Sequence, residues 1–152
     1  WLILLLSWML SLFITGFFAL FGFALPTQRL LTNQYYYISN PKKLNAVYRF
    51  LQVNLFRNLL LLTLWRSKKM QKGHFSGVKA GLDQLELQSK KSEFGHVVPF
   101  VITVAISLYL VVIDKGLFAI CISVFNLVGN LYPVLLQRHH RMRLQKISNR
   151  KN

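Results

Sequence analysis

The sequence predicts an all-α integral membrane protein. It should have about three transmembrane helices, the last two folded as a C-terminal helical hairpin, and an interfacial amphipathic helix between the first and the second. Three observations predict this. The chain of 152 residues is 53% hydrophobic and yet carries a formal charge of +15, with a mean hydropathy of +0.37. The charge is segregated: of 19 Lys and Arg residues, 12 lie between residues 29 and 91, one is Lys115, and six lie between residues 138 and 151. Between those basic segments stand uncharged runs of the length a bilayer crossing needs, about 20 residues. Basic flanks around apolar spans reconcile a high hydropathy with a high charge in a single membrane domain, 1–152.

The first run, "WLILLLSWMLSLFITGFFALFGFAL" (1–25), has no charge. It is longer than the 7–15-residue apolar core of a signal peptide and lacks that peptide's small-residue cleavage pattern, so it is expected to be a retained span. The sequence begins at Trp1 rather than Met, and further residues are expected to precede it. Residues 26–92 form a basic segment. Pro26, Thr27, Asn33, Asn40 and Pro41 mark turns in it, and "YYY" (35–37) suits the headgroup zone, where phenol rings settle. Within it, 44–65 has helical spacing. Leu44, Val47, Leu51 and Leu55 share a face, Arg49, Arg57 and Asn58 lie elsewhere, and the apolar end is too short to cross. It reads as the surface-lying helix. Residues 66–92 read as a solvent-side loop, with a short helix around residues 82–87 and a solvated His74. The second span is 94–113. Asp114, Lys115 and Gly116 make a tight turn, and the third span is 117–136. So short a break folds the two spans into an antiparallel pair. A basic tail, 137–152, follows. Cys121 sits in an apolar run and reads as a small hydrophobe; with one cysteine the chain has no internal disulfide.

With three crossings, residues 26–93 and the tail fall on one side of the membrane and hold 18 of the 19 basic residues. The positive-inside rule makes that side cytoplasmic.

Polar groups at such depth need partners or a task. Glu93 and His96 stand at i, i+3 at the mouth of the second span. Pro99 suits a first helical turn, which would leave the pair just outside the regular helix. Asn126 and Asn130, at i, i+4, stack on one face of the third span. An antiparallel hairpin returns Asn130, Tyr132, Gln137 and Arg138 to the level of Glu93 and His96. A histidine with a carboxylate partner can take a proton from a hydroxyl near neutral pH, and Asn, Gln and Arg can donate to an oxyanion. No serine or cysteine stands in a nucleophile context. The pattern therefore suits acyl transfer to an alcohol without a protein nucleophile.

The same residues admit plainer roles. Glu93 and His96 could cap a helix, and the asparagines could join helices. His139 and His140 are adjacent on a helix and do not face one ion together, so no metal is expected. The run "RHHRMRLQKISNRK" suits acidic lipid headgroups or the phosphates of an anionic cosubstrate. No nucleic-acid fold or P-loop accompanies it, so nucleic acid is not expected. A non-enzymatic assembly or anionic-lipid-binding membrane protein stays open on these grounds.

"E-F-G-H" (93–96), followed by "N-L-V-G-N-L-Y-P-V-L-L-Q-R-H-H-R-M-R-L" (126–144), resembles the glycosyl-4,4'-diaponeurosporenoate acyltransferase family of small bacterial membrane enzymes. The resemblance covers residues 93–144 and extends more weakly over 40–72. It implies a multi-pass protein of the bacterial cell membrane that moves a fatty acyl group onto a sugar hydroxyl of a glycosylated lipid, such as a carotenoid glycosyl ester in staphyloxanthin-type biosynthesis. By matching position it points to Glu93, His96, Asn126, Asn130, Gln137, Arg138, Arg141 and Arg143. The roles expected are His96 as general base with Glu93 orienting it, Asn130 and Gln137 on the oxyanion, and Asn126, Tyr132, Arg138, Arg141 and Arg143 on substrate. Where the family pattern has Tyr-Asn after Gln-Arg, this chain has His139 and His140, which leaves the acceptor open. No bound cofactor is expected. The expected partners are membrane lipids, a glycosylated lipid acceptor and an acyl donor such as acyl-CoA or acyl carrier protein; an oligomer is compatible with so small a chain.

Overall fold

The computed structural model describes residues 1–63 and 79–148, and these are helical with turns between. Helix α1 spans Leu2–Ala24, and a 3-10 turn follows at Thr27–Arg29. Then come α2 (Asn33–Tyr36), α3 (Pro41–Phe50), α4 (Val53–Thr63) and α5 (Lys79–Val112). Helix α6 (Gly116–Asn126) passes through a π-helical turn, Leu127–Leu131, into α7 (Tyr132–Ser148). Three helical stretches are long and apolar enough to cross a membrane: Leu2–Ala24, Gly81–Val112 and Gly116–Ser148. The protein is an all-α membrane protein, as the segregated charge predicts.

Local chemistry sets the helix starts. Asn40 Oδ1 accepts from the Lys43 amide at 2.9 Å and Pro41 fills the first turn of α3, where a missing N–H costs nothing. Thr32 Oγ1 accepts from the Tyr35 amide at 3.2 Å and caps α2. Asp114, at φ 57°, makes the left-handed corner between α5 and α6, a conformation Asp tolerates better than most residues.

Two expectations change. The helix placed at 44–65 is two helices, broken at Gln52, whose φ is +49°. Tyr48 and Val53 are both buried, at 3% and 0% exposure. In a straight helix they would point about 140° apart, and the break turns both inward. Second, the helix around residues 82–87 and the span from 94 are one helix, α5, of 34 residues with Pro99 inside it. Glu93 and His96 therefore lie within regular helix, one turn apart on one face. Residues 137–148 of the basic tail continue α7 as helix, which holds His139 and His140 as adjacent helical residues. The rest of the loop at 66–92, His74 with it, and residues 149–152 lie outside the described residues.

The chain forms two compact units. The first comprises residues 1–31 and 91–134, the second residues 32–90 and 135–152. In the first, α1 runs antiparallel to α5. At one end the Lys91 ammonium donates to the Phe23 carbonyl at 3.2 Å; toward the other, Leu10 and Ile106 pack on a core of Leu110, Ala119 and Ile122. Helices α5 and α6 are tied by Ser107, whose hydroxyl donates to the Ala119 carbonyl (3.1 Å) and lies 2.7 Å from that of Ser123. Ser7, Ser11 and Thr103 are buried, while Leu12, Phe13, Val101, Leu108 and Leu117 are exposed. Small polar residues inside and large apolar ones outside is the order lipid imposes.

Glycine sets the α1–α5 crossing. A Cβ on Gly95 would stand 3.1 Å from the Ala19 Cα, and one on Gly22 3.0 Å from the Lys91 carbonyl oxygen. Backbone on both sides cannot rotate away. Gly95→Val is expected to destabilise the protein by about 1–3 kcal/mol through overpacking. Gly16→Ala, where a Cβ meets nothing within 4 Å, should be neutral or gain up to about 1 kcal/mol of helix propensity. Thermal unfolding of both variants in the same detergent checks the contrast.

Candidate functional site

The first unit places a chain of amide hydrogen bonds behind His96. It starts at a backbone group: Asn126 Nδ2 donates to the Phe100 carbonyl at 3.1 Å. With its nitrogen so fixed, Asn126 presents Oδ1 to Asn130, whose Nδ2 donates to it at 2.9 Å. Asn130 in turn presents its own Oδ1, which accepts from the Thr15 hydroxyl at 3.0 Å and lies 3.4 Å from His96 Nδ1. Each carboxamide is thus oriented by the one before it. Asn126 is 2% exposed and Asn130 0%, so flipping either amide would bury unmatched groups.

The π-helical turn makes this possible. Asn130 sits in it, at residues 127–131; one extra residue per turn shifts side-chain direction locally, and such turns recur at functional sites. The Gly129 carbonyl in the same turn is a second acceptor facing His96. A neutral imidazole has one N–H. Given to Asn130 Oδ1 from Nδ1, it leaves Nε2 with a free lone pair, the arrangement a general base needs. Glu93 shares the His96 face of α5 and is fully buried.

Among the sequence-predicted residues, the structure thus brings together His96, Asn126 and Asn130. The contact of His96 Nδ1 with Asn130 Oδ1 adds an orienting partner to the carboxylate expected of Glu93. Thr15, on α1, was not foreseen; a single Thr in an uncharged span carries no periodic signal. Tyr132 is half-buried in the same unit.

Gln137, Arg138, Arg141 and Arg143 belong to the second unit. There the Ser89 hydroxyl donates to the Gln137 carbonyl at 3.3 Å. Arg141 is fully buried. Its Nε donates to the Tyr36 carbonyl at 2.9 Å and its guanidinium lies 4.9 Å from the Tyr36 ring centroid. Arg138 repeats the pattern on Tyr35, with a 3.5 Å hydrogen bond to the carbonyl and 5.1 Å to the ring. The "YYY" run is therefore no uniform interfacial belt. Tyr37 is 60% exposed, but Tyr36, at 1%, is the floor under Arg141. A desolvated cation–π contact of this kind contributes about 2 kcal/mol. Arg143 is exposed and His139 half-buried. Among the described residues, no three His, Cys, Asp or Glu side chains gather at a metal site.

Residues 32–150, more than three quarters of the chain, match the family model described as CrtO, glycosyl-4,4'-diaponeurosporenoate acyltransferase. No curated protein and no solved structure matches the chain.

Proposed function

This chain belongs to the glycosyl-4,4'-diaponeurosporenoate acyltransferase family, and from that premise we propose how its own residues perform the transfer. It is an acyltransferase, and its family's task lies in carotenoid glycolipid biosynthesis. The substrate is a glycosylated lipid held in the bacterial cell membrane, and the donor is a fatty acyl thioester such as acyl-CoA or acyl carrier protein. The basic segments face the cytoplasm, where such donors are found.

The observation that carries the mechanism is the amide chain ending at His96 Nδ1. With Nδ1–H given to Asn130, Nε2 takes the proton of a sugar hydroxyl as its oxygen attacks the acyl carbonyl carbon. The tetrahedral intermediate carries an oxyanion. It collapses with cleavage of the carbon–sulfur bond, and the imidazolium returns its proton to the leaving thiolate. The new ester and a free thiol are the products, and His96 ends as it began. Asn130 is a positioning residue in this scheme, and Glu93, on the same helix face, supplies the charge that favours the transient imidazolium. In the first unit Tyr132 serves acceptor binding, and in the second Arg138 and Arg143 serve anionic groups; Asn126 and Arg141 are buried and act from behind, Asn126 on Asn130 and Arg141 on Tyr36.

The proposal is tested by reconstituting the full chain in vesicles with a glycosylated carotenoid ester and an acyl thioester, then weighing the extracted lipids. The expected result is a product heavier by one fatty acid less one water, with one free thiol released per product. Thioester loss without acylated lipid, or no change in either, would reject the sugar-hydroxyl acceptor.

A further inference from the structure

Tyr48 on α3 is 3% exposed. Its ring stacks on that of His139 on α7, with centroids 4.1 Å apart and planes 15° apart. Its hydroxyl is sealed from solvent and meets no hydrogen-bond partner among the described residues, and the Nε of Arg57 on α4 is in the same condition. A buried, unmatched donor costs about 1–3 kcal/mol, so each calls for an acceptor that its own helix does not supply. Burial raises the Tyr48 pKa, while Arg57 and Arg143 pull it back down. Both guanidiniums therefore bear on this hydroxyl, and the same two bear on His139. Among the described residues, no carboxylate acts on either ring. The second unit has two, Asp83 and Glu86, and Glu86 is paired with Lys90 at 2.8 Å.

Like charges gathered around an unused proton donor are unfavourable until an anion with several acceptor oxygens arrives. The planar fork of arginine matches phosphate oxygens, and a phenolic O–H adds a directed third donor. We propose that Tyr48, Arg57 and Arg143 form a phosphate-binding site within the second unit, with His139 fixing the tyrosine ring from behind. The ligand is a phosphate ester. Two sources share that chemistry, the phosphate of an acyl-thioester donor and the headgroup of an anionic lipid. The first rests on the acyl-transfer reading above; the second does not.

The test uses the full chain in phosphatidylcholine nanodiscs. One arm titrates coenzyme A calorimetrically, and the other measures phosphatidylglycerol retained by the protein after mixing into the discs. Wild type is compared with Arg57→Gln and with Tyr48→Phe, which keeps the ring and its stack and so guards against misfolding. Arg57→Gln should weaken binding in one arm by about tenfold or more, as the loss of a charge-assisted contact does, and Tyr48→Phe by several-fold. The arm that responds identifies the source. Wild type binding neither probe, or both variants binding like wild type in both arms, overturns the site. Acyl transfer is measured on the same samples. Transfer with no response to Arg57→Gln in either arm removes the phosphate site alone, and a response without transfer removes the acyl-transfer reading alone.

Discussion

His96→Ala is expected to lower acyl transfer about 10²–10⁴-fold, the range a positioned general base contributes, while the protein still inserts and folds. The second half of that statement follows from where His96 sits in the hydrogen-bond chain. Asn126 is anchored by the Phe100 carbonyl and Asn130 by Asn126, and Thr15 still donates to Asn130 Oδ1 when the imidazole is gone. The ring ends the chain and supports nothing beyond it. Truncation therefore leaves a small cavity and no unmatched side-chain amide, and the Gly129 carbonyl loses only the imidazole that faced it. The measurement is the rate of acylated lipid by mass spectrometry beside thermal unfolding of the same preparation. A rate within threefold of wild type, with the protein intact, removes His96 as the base. A fall in rate accompanied by collapse of the fold would instead assign the residue to structure. Single-turnover measurement separates chemistry from product release, since a base acts on the former.

The parts of this molecule that were legible in the sequence are those set by hydropathy and charge. A run without a charge over residues 1–25 is long and apolar enough for lipid to satisfy it, and the Asp-Lys-Gly break at 114–116 leaves adjacent spans no choice but to fold back. The i, i+4 spacing of Asn126 and Asn130 likewise announced a shared face, and the hairpin brought it to the level of His96. What stayed hidden depended on packing. The break at Gln52 carries no glycine or proline, because it is imposed by the burial of Tyr48 and Val53 on one side. Pro99 was a helix-start signal in sequence. It is an interior residue in fact, tolerated because a missing N–H is a local cost that a long packed helix offsets. The role of Tyr36 beneath Arg141 was invisible for the opposite reason. Three consecutive tyrosines have an ordinary interfacial meaning, and nothing in the run says which of them turns inward. The π-helical turn at Leu127–Leu131 has no sequence mark beyond a lone glycine, and with it went the pairing of Thr15 to Asn130.

Asn130→Leu should reduce kcat by about 10–100-fold with KM little changed, because the residue acts on the base rather than on substrate. Leucine keeps the branched heavy-atom outline of asparagine, though it is the bulkier side chain, and keeps the helix, but it removes the acceptor for His96 Nδ1–H and the donor to Asn126 Oδ1. The ring is then free to turn and to present N–H where the lone pair is needed, and only a fraction of molecules hold the productive arrangement. A lost fraction lowers kcat in proportion and leaves ground-state binding as it was. Asn130→Asp separates orientation from mere packing. A carboxylate there accepts from both Thr15 and His96, as the amide oxygen does, though it no longer donates to Asn126. It should recover most of the rate that leucine loses, whereas a residue needed only to join helices would tolerate leucine in lipid at least as well as a buried charge. If leucine retains full kcat, or if aspartate is the poorer of the two, the amide chain is a structural tie and the tautomer of His96 must be set by another group.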